Sequence, residues 1–149
     1  MKPAVLVLLI VCSALRISQA ETVGPAMVPA GMTITPHRAR SLYLLHCSGC
    51  HGIDGRGVPA FGIPSMVDAL GKFQSTTVGR AFLVQVPGAR NASVSDGELA
   101  DMTNWMLHTF SEQTLPADFR PYTAEEVTRW RSVPPLDVDS ARAAIVSQW

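Results

Sequence analysis

The chain has 149 residues, 12 Lys plus Arg against 12 Asp plus Glu, and 47% hydrophobic residues. That is one domain's length with enough apolar content for a core, which excludes a coiled coil or a disordered tail. A net charge of zero excludes the general basic surface that holds nucleic acid by its phosphates, so no nucleic-acid partner is expected.

Residues 1–20 combine an early charge at Lys2, an apolar run from Val5 to Leu15 and a small-residue exit at Ser18, Gln19 and Ala20. This is the pattern of a secretory signal peptide, with cleavage expected after Ala20. The apolar run falls short of the ~20 residues of a bilayer span, so membrane attachment is expected only if the segment is retained. Cys12 follows Val11, where lipoprotein cleavage wants a small residue, and it leaves with the signal. The exported chain then keeps only Cys47 and Cys50, in a compartment that favours disulfides.

Residues 21–34 carry Gly and Pro breakers without periodicity and read as a linker or arm. Thr35-Pro36 marks a helix start, and Ala39, Leu42, Tyr43 and Leu45 form an apolar stripe running into Cys47. Residues 52–64 hold four Gly and two Pro, the composition of a loop in close contact with something. Short helical stretches are expected at Met66–Leu70 and at Thr77–Val86, the second ended by Pro87-Gly88.

Ser95 and Glu98 form a capping box that opens a helix to about Phe110. At ~100° per residue Leu99, Met102, Thr103, Met106 and Phe110 share one face to be buried, and Asp101, Asn104 and His108 share the opposite, solvated one. In the tail, 111–149, Thr123 and Glu126 form a second capping box for a helix stopping before Pro134-Pro135. Asp139 is the expected cap of a last helix through Ala144 to Trp149. No segment shows sustained strand alternation, so the expected fold class is all-α.

Cys47-Ser48-Gly49-Cys50-His51 has the C-x-x-C-H spacing of covalent haem c attachment. Two thiols on one helical turn reach the two vinyl groups of one haem, and the next residue offers an imidazole to the iron. A thioredoxin-like pair would belong at a strand-to-helix junction, whereas a helix precedes this motif and a Gly-rich loop follows it. A zinc site needs four ligands, and the remaining His residues supply no second pair with metal spacing.

Around that motif the chain resembles the small single-haem c-type cytochromes of bacteria. Residues 42–52 (LYLLHCSGCHG) followed by Asp54-Gly55-Arg56-Gly57 look like the family's helix, attachment site and turn, and Gly62-Ile63-Pro64 looks like its proline segment. The helix from Ser95, with Trp105 where the family usually has Tyr or Phe, looks like the closing helix that crosses the first.

The resemblance covers residues 35–110, the implied haem domain, and leaves 111–149 as a helical C-terminal extension. It implies cytochrome c-like helices around one covalent haem c held by Cys47 and Cys50. His51 is then the proximal iron ligand, with its Nδ1–H on a carbonyl of the proline segment, a contact that fixes the tautomer.

Two positions depart from the family. Ala39 stands where many members have Gly at the helix crossing. Val86-Pro87 stands where the family commonly has a Met before a Pro as sixth ligand, and residues 86–95 contain no Met, His, Cys or Lys. The sixth ligand is thereby left open. Met66 is the candidate substitute, although the resemblance puts it on the proximal side. Met102 and Met106 on the buried stripe read as core, His37, His46 and His108 read as surface residues, and Met27 and Met32 in the arm would lose ordering entropy on binding.

The expected function is a periplasmic electron carrier rather than an enzyme, exchanging electrons with a dehydrogenase, another cytochrome, an oxidase or a respiratory complex. One alternative is a haem protein whose open distal site binds or senses a small ligand. Another is a haem subunit of a larger oxidoreductase, with Trp130, Pro134-Pro135 and Trp149 of the tail as interface anchors; the tail could equally wrap the small core.

Overall fold

The computed structural model describes residues 33–149. The expected signal peptide and most of the linker, with Cys12, Met27 and Met32, lie outside the described residues. Within them the chain is all-α: its only β pairing is an isolated bridge between Val58 and Ile63, and no helix is long and apolar enough to cross a membrane.

Helix α1 spans Pro36–His46, capped by the Thr35 hydroxyl, which accepts from Arg38 N at 3.2 Å. Its buried face is Ala39, Leu42 and Tyr43. Leu45, expected on that stripe, is 73% exposed. It lies about 120° round the helix from Ala39, outside the arc that one packing neighbour covers.

A single turn, α2 (Ser48–His51), continues α1 after Cys47. The helix expected at Met66–Leu70 is instead a set of turns leading into a 3-10 turn at Lys72–Ser75. The backbone donors there are spent elsewhere: Met66 N donates to Gly55 O at 2.8 Å and Asp68 N to Phe110 O at 2.9 Å. Asp68 itself has φ +53°, which no helix tolerates.

Helix α3 (Thr77–Gln85) is capped by Thr76, and Pro87 opens a further turn, α4 (Pro87–Arg90), immediately after it. Helix α5 (Asp96–Phe110) begins at the full Ser95–Glu98 capping box and packs across α1. All five residues expected on its inner face are buried.

So are Asp101 and Asn104, which the helical pattern assigns to solvent. Thr33 N and Ile34 N donate to the Asp101 carboxylate at 3.0 Å, and Asn104 exchanges hydrogen bonds with both backbone groups of Tyr122 at 2.7 and 3.1 Å. Chain from both directions covers the polar side of α5 and satisfies it. His108 on the same side stays half-exposed, its Nδ1 3.8 Å from Glu112.

The chain that covers Asn104 is the tail. Helix α6 (Ala124–Arg131), opened by the Thr123–Glu126 capping box, lies against α5 and α3, and Tyr122 and Val127 belong to the same core as Leu42, Leu99 and Leu107. The ring of Tyr122 carries the Arg80 guanidinium 4.3 Å from its centroid, and Arg80 pairs with Glu126 at 3.0 Å.

Helix α7 (Val138–Val146) adds Ile145 to a second cluster with Phe73 and Phe82, whose rings stack at 5.6 Å. Its cap is Asp137, accepting from Ser140 N at 2.6 Å; Asp139, the expected cap, sits in the first turn, and the helix stops short of Trp149. Trp130 packs on the main core, while Trp149 meets the edge of Phe73.

Candidate functional site

The site begins where α1 hands over to α2. Cys47 N still donates to Tyr43 O at 2.9 Å, and His51 N donates to Cys47 O at 3.0 Å, so the five-residue motif is one helical turn pivoting on Cys47. Both thiols are free. Cys50 is exposed, and Cys47 is half-buried with its Sγ 3.9 Å from Met102 Sδ on α5. Burial, with a smaller contribution from Cys50, pushes the Cys47 thiol up to about 11 and keeps it protonated at neutral pH.

The glycine-rich loop folds back onto this turn. Gly57 N donates to His51 O at 2.8 Å, and Val58 N to Ile63 O at 2.9 Å. Gly57 has φ +62°, and a Cβ there would meet the Ile63 and Pro64 carbonyl oxygens at 2.6 and 2.5 Å. The close approach needs that glycine. It delivers the Pro64 carbonyl to His51, whose Nδ1 lies 3.2 Å from Pro64 O.

A carbonyl can only accept, so Nδ1 carries the proton and Nε2 of the neutral ring keeps a free lone pair. Burial holds the imidazole pKa below its ordinary value, and the Pro64 carbonyl opposes that shift only in part. The neutral, ligating form is favoured. Tyr43 closes the other side of the turn, its hydroxyl donating to Gly52 O at 2.5 Å; its pKa is pushed up to about 12, chiefly by burial.

The chain finds no match among protein-family models, curated proteins or solved structures.

Of the remaining sequence candidates, Met102 reaches the motif, its Sδ lying 3.9 Å from Cys47 Sγ. Met66 is anchored two residues beyond Pro64, with its carbonyl accepting from Ser111 Oγ at 2.9 Å and its side chain against the main core. Met102 and Met106 are buried core residues, His37 is exposed and His46 half-exposed. Among the described residues no three His, Cys, Asp or Glu side chains converge into a cluster for a bare metal ion.

The donor set fits a haem: two unpaired thiols on one turn, and an imidazole oriented through Nδ1 with Nε2 free. Exposed apolar side chains flank it, with Leu45, Ile53, Val58 and Phe61 all lying between residues 45 and 61. Sequence inspection misses Arg131, which no motif marks. From α6 it bonds the backbone of the segment ahead of α5, accepted by Arg90 O at 2.8 Å and Val94 O at 3.0 Å.

Proposed function

We propose that this chain is an exported c-type cytochrome that carries single electrons through one haem c attached at Cys47 and Cys50. The observation that carries this is the hydrogen-bond distance between His51 Nδ1 and Pro64 O, 3.2 Å, within a C-x-x-C-H turn whose thiols are both free. Cys47 and Cys50 are the residues that would hold the group, through one thioether each. Bound haem supplies one-electron ferric/ferrous chemistry.

His51, with Nε2 free, would be the residue to hold the iron, while Pro64 O fixes the tautomer and raises the ring's basicity. Gly57 lets the loop come close enough to place that carbonyl. The partner is a dehydrogenase, a cytochrome or an oxidase that accepts or delivers single electrons, and residues 1–20 route the protein to the periplasm.

A second reading has its own support: residues 86–95 hold no Met, His, Cys or Lys, so the sixth position has no donor from that segment. On that reading the haem binds or senses a small ligand. A haem subunit of a larger oxidoreductase would use the same site.

Optical spectra of the mature protein, oxidised and reduced, with and without carbon monoxide, combined with intact-mass analysis, test haem attachment and distal vacancy together. One added haem on a chain beginning at Glu21, together with carbon monoxide binding on reduction, is the expected result. A haem-free chain with a Cys47–Cys50 disulfide rejects the proposal.

A further inference from the structure

Helix α3 opens onto a small cavity. Its cap, Thr76, accepts from Gly79 N through Oγ1 at 3.0 Å, and Arg80 N donates to Thr76 O at 3.0 Å. The N–H groups of Thr77 and Val78 come before that turn closes and find no acceptor among the described residues. They lie at the positive end of the helix dipole.

The cavity measures about 130 Å³, and its walls include Ser75, Thr76, Thr77 and Arg80, with Asp118 and Arg120 from the tail. An adjoining cavity shares Ser75 and Thr76 with it and brings Lys72 to the same turn. The three hydroxyl-bearing residues, Asp118 and Arg120 are exposed, whereas Arg80 is buried, at 7% exposure.

Arg80 indicates what the cavity accepts. Its Nη1 donates to Gln74 Oε1 at 3.0 Å and to Arg120 O at 2.7 Å, and its Nη2 donates to Glu126 at 3.0 Å. Nε, buried as well, finds no acceptor among the described residues. Buried donors are paired with few exceptions, so an unpaired Nε–H on a residue that lines a cavity asks for an acceptor from outside the chain.

Charge and size agree. Glu126 compensates Arg80, while Arg120 and Lys72 form no ion pair among the described residues and face one carboxylate, Asp118. A volume of about 130 Å³ is below that of pockets for drug-sized molecules and holds a few waters or one compact anion. A tetrahedral oxyanion has lone pairs enough to meet amide, hydroxyl and guanidinium donors converging from several directions, as a helix N-terminus beside cations provides.

We infer that the start of α3, with Arg80 and Arg120, is a binding site for a small tetrahedral oxyanion of the phosphate class. The site uses none of Cys47, Cys50 and His51, so it stands or falls independently of the haem.

The test uses the full mature chain, isotope-labelled for NMR, with inorganic phosphate, sulfate and acetate titrated separately at constant ionic strength against chloride. Phosphate and sulfate are expected to shift the Thr77 and Val78 amides and the Arg80 Nε–H along one saturating curve, and acetate to bind about tenfold more weakly. Arg120→Ala is expected to weaken phosphate about fivefold, and Asp118→Asn to tighten it about twofold. Arg40→Ala removes an exposed cation of α1 that lines neither cavity and is expected to change nothing. All three substituted residues are exposed, so the fold is kept.

Shifts that never saturate, or equal losses in Arg40→Ala and Arg120→Ala, reduce the effect to general charge attraction and overturn the site. An Arg80 Nε–H that stays in place while the amides move overturns the part given to Arg80. Acetate as tight as phosphate overturns the tetrahedral assignment, and weaker binding by Asp118→Asn overturns the charge argument.

Discussion

At the scale of single residues, the site depends on contacts that leave little tolerance. Gly57→Ala places a methyl within 2.6 Å of two carbonyl oxygens at φ +62°. It is expected to cost about 2 kcal/mol, read as a lower denaturation midpoint, and to loosen the Pro64 contact. Replacing His51 by Ala removes the only imidazole in the motif, so the expected outcome is loss of the holoprotein spectrum or failure of maturation. Met66→Ala is expected to leave carbon monoxide binding unchanged, because the residue is tethered on the Pro64 side of His51 through Gly55 O and Ser111 Oγ. A Met66→Ala protein whose spectrum and carbon monoxide affinity both change would identify Met66 as an iron ligand.

The elements obey local signals at their ends and distant partners along their faces. Asn104, buried in the middle of α5, bridges both backbone groups of Tyr122. Asn104→Ala leaves a buried N–H and a buried C=O unpaired and is expected to destabilise the fold by about 2–4 kcal/mol in chemical unfolding. At the start of α5, the Thr128 hydroxyl first and Arg131 second hold the Asp96 carboxyl below its ordinary value of 3.8. A lowered folded-state pKa contributes stability that is present above 3.8 and is lost as pH falls through the lower, folded value. The expected outcome is a shallower loss of stability in that acid window for Asp96→Asn than for the parent chain, measured as the urea midpoint against pH.

Over the whole molecule the tail completes the core. Tyr122 and Val127 lie in the same cluster as residues of α1 and α5, and Arg80, Glu126 and Gln74 tie α3 to the tail around the Tyr122 hydroxyl. Tyr122 is almost wholly buried, and burial raises its pKa far above the ordinary range, so the hydroxyl stays a donor, here to Arg80 O at 2.8 Å. A chain ending at Phe110 would remove Tyr122 and Val127 from the core and strand Asn104; it is expected to lose cooperative unfolding and dispersed amide resonances. Cooperative unfolding of that shortened chain at the parent midpoint would show that residues 111–149 are an independent appendage.

Most of what neighbouring residues carry was legible without coordinates, the α7 cap at Asp137 rather than Asp139 being the exception. Thr35 with Pro36, Ser95 with Glu98, and Thr123 with Glu126 announce their helices because capping is a three-residue interaction, and Cys47, Cys50 and His51 announce their turn for the same reason. Periodicity also located the Leu99 to Phe110 face. What it could not say is which other faces would be covered. Asp101 finds Thr33 from 68 residues away and Asn104 finds Tyr122 from 18, so both read as solvated until the chain is packed. Leu45 fails in the opposite sense, apolar and exposed, because among the described residues no element covers its side of α1. Met66–Leu70 and the backbone bonds of Arg131 likewise turn on where distant backbone groups end up. Local hydrogen-bonding geometry is written in short sequence windows, whereas burial and the pairing of long-range polar groups exist only once the chain has folded.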